Sequence, residues 1–153
     1  PELVESERAR IREARLLLDG GDDTKRVQLD LLEAAWMFEQ RDGRHARKLL
    51  QAALSSARKL GLAHCQADAL IMLADATDDA ELQRKYLSRA AEIASEAQHV
   101  ELAMTSLTKL IDVSDSPERR AHYMRRCEKL YPLLDTASEA ARAFERLKAR
   151  EVR

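Results

Sequence analysis

One segment of the sequence recurs, and this recurrence constrains the fold more than any other feature. Residues 70–94 align with residues 107–131 at an offset of 37 positions. The matched pairs include Leu70 with Leu107, Leu73 with Leu110, Asp75 with Asp112, and Tyr86 with Tyr123. A fixed period between about 20 and 50 residues is typical of proteins built from stacked supersecondary units. Each copy has the pattern of a helix, a polar turn and a second helix, so we expect a stack of helical hairpins.

The composition and the spacing of apolar residues predict an all-α protein of about eight helices. Strong helix formers dominate the chain, which has only four glycines and three prolines. Apolar residues recur every three or four positions, as they do along one face of a helix. The predicted helices span residues 2–18, 24–40, 44–60, 63–76, 80–97, 100–113 and 117–134, and an eighth ends near residue 149. Short turns make neighbouring helices antiparallel, so the predicted fold is a right-handed stack of antiparallel helical hairpins.

These helices form a single predicted domain over residues 1–153. It consists of a leading helix (1–22), three hairpins (23–61, 62–98 and 99–135) and a C-terminal capping helix (136–153). Several residue types mark the helix ends. Asp79 and Ser116 are suited to the N-cap position, and Pro117 to the first turn. Thr136 and Glu139 have the spacing of a capping box for the last helix, and Pro132 should end or kink the seventh.

The predicted hairpins resemble tetratricopeptide repeats, which alternate an A helix and a B helix. The B helix of that family carries alanine, a large apolar residue four positions later, alanine three positions after that, and proline five residues further on. The matching residues are Ala46, Leu50 and Ala53 in the third helix, Leu87 and Ala90 in the fifth, and Met124, Cys127 and Pro132 in the seventh. The resemblance covers residues 27–134 as three A–B pairs. It makes the first helix a B-like leader and the eighth an A-like cap.

The resemblance implies a protein-interaction module that binds a peptide or a helix in a concave groove lined by the A helices. The candidate groove residues are Leu29, Leu32, Trp36, Asp68, Ile71, Asp75, Thr105, Thr108, Asp112 and Arg142, with Glu145 beside them. Asp75 and Asp112 would favour a basic or mixed peptide, and an aromatic-containing ligand would suit the apolar end of the groove. Trp36, the only tryptophan, is the expected anchor. The alternative for Trp36 is a core position against a neighbouring helix.

The sequence carries no combination of residues that predicts catalysis. None of the four histidines lies three or four residues from another histidine or cysteine, the spacing that a metal site on one helix needs. His64 and Cys65 are adjacent, so on a helix they point about 100° apart. There is no glycine-rich phosphate loop. We therefore expect a protein that is not an enzyme and that uses no cofactor and no metal.

Charge and cysteine usage indicate the kind of partner and compartment. Net charge is −1, although residues 117–153 carry ten Lys and Arg against six Asp and Glu. Because the chain as a whole has no excess of basic residues, no nucleic-acid partner is expected. No apolar run approaches the roughly 20 residues of a membrane span. Cys65 and Cys127 lie in apolar helical patterns, as buried thiols of a reducing compartment do, which predicts a cytoplasmic protein.

Two other functions stay open at this stage. The first is a purely structural one: a spacer, an oligomerisation segment that self-associates through its end helices, or a designed solenoid with no ligand. The chain begins at Pro1, which favours an excised fragment, a processed product or a design. The second is a regulatory repeat segment of a bacterial sensor or transcription regulator.

Overall fold

The chain is a succession of helices joined by short turns. The computed structural model describes residues 2–18 and 21–151, with the side chains of residues 6, 8–18 and 21–150. Within these residues there are eight α-helices and no strand: α1 (Glu2–Leu17), α2 (Asp23–Glu39), α3 (Gly43–Lys59), α4 (Ala63–Asp75), α5 (Ala80–Glu96), α6 (Val100–Asp112), α7 (Pro117–Leu130) and α8 (Glu139–Glu151). The predicted all-α class is confirmed. The predicted bounds of the first six helices agree with the structure to within one residue at each end.

The helices pack as a stack of hairpins. From α1 to α7, each helix contacts the next one along the chain. Contacts between successive hairpins also join α2 to α4, α4 to α6, and α6 to α8. These four form what we call the even-helix layer. Because α8 packs against α6, it closes the stack in the position of a further even helix. None of the described helices is both long enough and apolar enough to cross a membrane.

The 37-residue repeat of the sequence reappears as a repeat of buried positions. Leu70, Leu107 and Phe144 follow one another at this spacing on α4, α6 and α8, and each is at most 2% exposed. The odd helices show the same regularity at Ala53, Ala90 and Cys127, which are all fully buried. The small side chains at these three positions let neighbouring helices approach closely. The repeat therefore records which residues face the shared core.

Side-chain caps fix where several helices begin. Asp79 Oδ1 accepts hydrogen bonds from the backbone N–H groups of Glu81 and Leu82, at 2.9 and 3.1 Å. Ser116 Oγ accepts one from the N–H of Arg119 at 3.4 Å. Each bond satisfies a donor that the first turn of a helix leaves free. Both predicted N-caps are confirmed.

The start of α8 differs from the prediction. The predicted capping box of Thr136 and Glu139 is wrong, because Ser138 Oγ accepts the bond from the N–H of Ala141, at 3.2 Å. Thr136 lies in the preceding turn, where Asp135 Oδ1 accepts a bond from the N–H of Ala137 at 2.9 Å. This local bond holds residues 135–137 in a turn, so the helix begins two residues later than a cap at Thr136 would allow.

The seventh helix ends earlier than the predicted residue 134. The α-helix stops at Leu130, and Tyr131–Leu133 form a single 3₁₀ turn. Pro132 has no N–H to donate to the carbonyl four residues earlier, so the α-helical pattern cannot continue through it. The prediction that Pro132 ends the helix is confirmed.

Three turns between helices share one backbone conformation. Arg41, Gly61 and Gln98 follow the C-caps of α2, α3 and α5 with positive φ values of 62°, 67° and 58°. In each case the next residue donates its N–H to a carbonyl five residues back, at 2.8–2.9 Å. This pair of features is the Schellman ending of a helix. The prediction that Gly61 ends the third helix is confirmed.

Candidate functional site

The even-helix layer has an open cleft of about 390 Å³ between α6 and α8. Three predicted groove residues, Thr105, Thr108 and Asp112, line the α6 side together with Lys109. The α8 side is lined by Glu139, Ala140, Ala143, Arg146, Leu147 and Arg150. The structure therefore brings part of the predicted groove into a single concave site. The other predicted even-helix residues lie outside this cleft.

The two predicted acidic positions are each paired with a base on the next even helix. Asp75 on α4 lies 2.7 Å from Lys109 Nζ on α6. Asp112 on α6 lies 3.7 Å from Arg150 Nη1 on α8. All four side chains are partly exposed, so water screens both pairs. The face is thus of mixed charge, and these two carboxylates already have partners.

The floor and the rim of the α6–α8 cleft differ in chemistry. Ala140 and Leu147 are buried beneath it, and Ala143 is partly exposed. Arg146 is exposed and makes no ion pair with any side chain that the structure describes. An apolar floor beside an unpaired guanidinium can accept an apolar side chain and a carboxylate or carbonyl oxygen.

Three predicted groove residues offer little surface to a ligand. Leu29, Ile71 and Thr108 are only 8%, 6% and 5% exposed. Ile71 belongs to the main core cluster. The Thr108 hydroxyl donates to the backbone carbonyl of Thr105 at 3.0 Å, so its hydrogen is used within α6. These three side chains pack inside the even-helix layer and are not part of its ligand-accessible surface.

The C-terminal candidates Arg142 and Glu145 also lie outside the cleft. Arg142 is exposed on α8 and has no ion-pair partner among the described side chains. Glu145 accepts a short hydrogen bond from the hydroxyl of Tyr131, which raises the pKa of that tyrosine. Glu145 therefore ties α8 to the 3₁₀ turn that follows α7.

Trp36 and Leu32 belong to a different surface, between α1 and α2. Trp36 lines two clefts there, of about 530 and 260 Å³, and neither shares a residue with the α6–α8 cleft. Ile11 of α1 lines both clefts with it. Trp36 is half-buried, and Leu32 is 60% exposed. The tryptophan is therefore neither fully buried nor part of the α6–α8 cleft.

A cluster of titratable side chains lies near the start of α4. His64 Nε2 is 3.1 Å from Cys65 Sγ, and the imidazole rings of His64 and His99 are 5.7 Å apart. Burial raises the pKa of the nearby Asp68 carboxyl, and the charge of His64 opposes that effect. Sequence spacing missed the contact between His64 and Cys65, because the histidine side chain is long enough to bend towards the next residue along the chain. In the described part of the chain, no three His, Cys, Asp or Glu residues are grouped to hold a metal ion.

Both cysteines are free and buried. Burial is the main cause of the raised thiol pKa of each, and it brings the pKa of Cys127 to about 12. A thiol that stays protonated at neutral pH is a poor nucleophile. The cysteines therefore behave as small core residues.

No model of a known protein family, no curated protein and no solved structure matches this chain. What the chain does must therefore be argued from its fold and from the chemistry of its surfaces.

Proposed function

We propose that this chain is a non-catalytic protein-interaction module, built from hairpins of the tetratricopeptide type, that binds a peptide segment along its even-helix layer. The observation that carries the proposal is the open cleft between α6 and α8, because it is concave and combines apolar and charged groups. Binding sites for peptides on helical repeats are extended surfaces of this kind. The proposed function is recognition only and involves no chemical step.

The chemistry of the cleft defines the kind of peptide. Ala140, Ala143 and Leu147 suit an apolar or aromatic side chain, and Arg146 suits an oxygen acceptor beside it. Asp112 and Arg150 offer one charge of each sign at the rim. We therefore expect a peptide of mixed charge with an apolar anchor, with basic side chains placed towards Asp112.

The internal ion pairs do not prevent such binding. Exposed pairs contribute about 0–1 kcal/mol, since water screens them and two long side chains must be held still. A ligand that replaces Arg150 at Asp112, or Lys109 at Asp75, therefore gives up little. The exchange of one ion pair for another favours specificity more than affinity.

Selection from a displayed random-peptide library, repeated on two matched variants, tests the proposal. Ala143→Phe fills the α6–α8 cleft, whereas Ala121→Phe places the same ring on an exposed position of α7. We expect peptides enriched on the unmodified protein to bind Ala121→Phe equally and to lose about tenfold or more on Ala143→Phe. Equal binding to both variants, or no enrichment on a folded monomer, would contradict the proposed site.

The two cysteines favour a cytoplasmic setting for the proposed interaction. Two free, buried thiols are usual where the environment is reducing. We therefore place the proposed interaction in the cytoplasm.

Self-association is a second candidate, favoured by the apolar surface of α1. Leu16 and Leu17 are 73% and 82% exposed at the N-terminal end of the stack. Adjacent exposed leucines of this kind often mark a contact surface. Light scattering tests it: a mass above the 17.4 kDa of one chain, which returns to that value in Leu16→Gln/Leu17→Gln, would support it. A monomer at every concentration would exclude it.

A further inference from the structure

The larger cleft between α1 and α2 carries an excess of positive charge. Three arginines of α1, Arg8, Arg12 and Arg15, line it. Arg15 is neutralised, because its guanidinium bonds Asp30 at 2.7 Å and also bonds Glu33. Arg8 and Arg12 are exposed and have no carboxylate partner among the side chains that the structure describes. They therefore leave two guanidinium groups available to a ligand.

The two acidic residues of this cleft, Glu33 and Asp42, offset only part of the charge of its three arginines. Glu33 is held by Arg15, as described above. Asp42 caps the start of α3, where its Oδ1 lies 3.4 Å from the backbone nitrogen of His45 and 2.8 Å from the ring Nδ1 of the same residue. Both carboxylates thus have internal partners. Among the described residues that line this cleft, an anionic group would meet two arginines without an ion pair and two carboxylates that are already hydrogen-bonded.

Trp36 lines this cleft as well and is half-buried. Its indole Nε1 has no partner among the described residues, but this atom is buried, so a ligand in the cleft does not reach it. What Trp36 offers a ligand is the accessible part of its ring, which suits an apolar or aromatic group.

An apolar cleft adjoins the charged one. Leu32, Ala35, Ile11 and Trp36 line it together with the exposed Arg10 and Glu39. Ile11 and Trp36 also line the charged cleft, so the two clefts are continuous. Leu32 is more than half exposed although it is apolar. A ligand that fills both clefts must carry an apolar side chain next to a carboxylate.

We propose that the α1–α2 surface is a second binding site, which takes an acidic peptide segment carrying an aliphatic or aromatic residue beside a glutamate or aspartate. The carboxylate lies against Arg8 and Arg12, and the apolar side chain covers Leu32, Ala35 and the accessible part of the Trp36 ring. This site is independent of the α6–α8 cleft. Its acidic ligand also differs from the basic or mixed peptide expected for the predicted groove.

Intrinsic fluorescence tests the proposal directly, because Trp36 is the only tryptophan. The probe is a synthetic tryptophan-free peptide in which glutamate alternates with leucine and phenylalanine. The control peptides replace every glutamate by glutamine or by lysine. We expect the acidic peptide to change the Trp36 emission in a saturable way, with an affinity that falls as salt rises, and neither control to do so. Equal binding of the glutamine peptide, or no binding of the acidic one, would overturn the proposal.

Matched variants locate the binding at this surface. Arg8→Gln/Arg12→Gln removes two exposed charges that bond no described residue, and Arg125→Gln removes a similar charge on α7. By calorimetry we expect the double variant to bind the acidic peptide about tenfold or more weakly, and Arg125→Gln to bind it normally. Trp36→Phe replaces the indole by a smaller aromatic ring, which reduces the apolar contact and should also weaken binding. Unchanged affinity in the double arginine variant would overturn the proposal, whatever Trp36→Phe does.

The same peptide separates this site from the proposed function. Ala143→Phe fills the α6–α8 cleft only, so the acidic peptide should bind that variant normally. Loss of its binding in Ala143→Phe would place the peptide in the α6–α8 cleft and overturn the α1–α2 assignment.

Discussion

Lys109 Nζ on α6 lies 2.7 and 3.0 Å from the two carboxylate oxygens of Asp75 on α4. Asp112, which is 37 residues after Asp75, repeats the relationship with Arg150 on α8, at 3.7 Å. The recurring aspartates therefore link successive even helices by ion pairs. In the absence of a ligand, both aspartates already have a basic partner within the chain.

Replacing Lys109 should leave the Asp75 carboxylate available to a ligand without destabilising the fold. In Lys109→Gln, we expect the free energy of unfolding in urea to change by less than about 1 kcal/mol, since the pair is partly exposed. We expect the affinity for an arginine-rich peptide to rise severalfold, because Asp75 loses its internal partner. Lys85→Gln, an exposed change on α5, should alter neither quantity. No gain in Lys109→Gln would mean that Asp75 does not face a binding surface.

Ala90 is fully buried on α5, at a position that the repeat keeps small. Ala90→Leu should therefore overpack the centre of the stack and lower the free energy of unfolding by about 1–3 kcal/mol. Ala52→Leu adds the same atoms to an exposed position of α3 and should have little effect. Urea denaturation of both variants checks this. A neutral Ala90→Leu would show that α5 can move away from its neighbours.

Gly61 has a left-handed φ of 67° and open space where a Cβ would lie. Gly61→Ala should therefore destabilise the protein by about 1 kcal/mol through backbone strain alone, without any clash. Gly21 has equal space but no positive φ, so Gly21→Ala is the matched control and should not destabilise. Thermal unfolding of the two variants compares them. Equal melting temperatures would contradict the strain argument.

The sequence was sufficient for the helices because their ends are encoded locally. Asp79 and Ser116 cap α5 and α7 through residues only two or three positions away. Such bonds do not depend on the tertiary fold. The error at Thr136 arose because Asp135 competes for the same short segment, and residue types alone do not rank two competing caps.

The candidate site was only partly predictable because side-chain direction depends on the neighbouring helix. The family resemblance placed Leu29 and Ile71 towards a groove, but both are buried in the structure. Nothing within α4 shows that Asp75 meets Lys109, which is 34 residues away. Trp36 was ambiguous for the same reason, since its environment depends on how α1 lies across α2.

Asp68 provides a prediction for pH dependence. Burial raises the pKa of its carboxyl in the folded state, so folding is opposed once this group must ionise. The free energy of unfolding should therefore fall as pH rises from about 4, near the pKa of this group in the unfolded chain, through its raised pKa in the folded protein. Asp68→Asn should stabilise the protein at pH 7, and the gain should shrink towards pH 4.

Urea denaturation between pH 4 and pH 7 measures this difference. Glu128→Gln removes an exposed carboxylate from α7 and serves as the control, with little change expected across the range. A gain in Asp68→Asn that is the same at every pH would mean that ionisation of Asp68 is not its cause.

The measurement that tests the central claim most directly is a map of amide chemical shifts on binding of a library-selected peptide. If the even-helix layer is the interaction surface, the largest shifts should fall on α6 and α8, around Thr105, Lys109, Asp112 and Arg146. The odd helices α3, α5 and α7 should change little. Shifts concentrated on those odd helices, with α6 and α8 unchanged, would contradict the claim that this protein binds peptides on its even-helix layer.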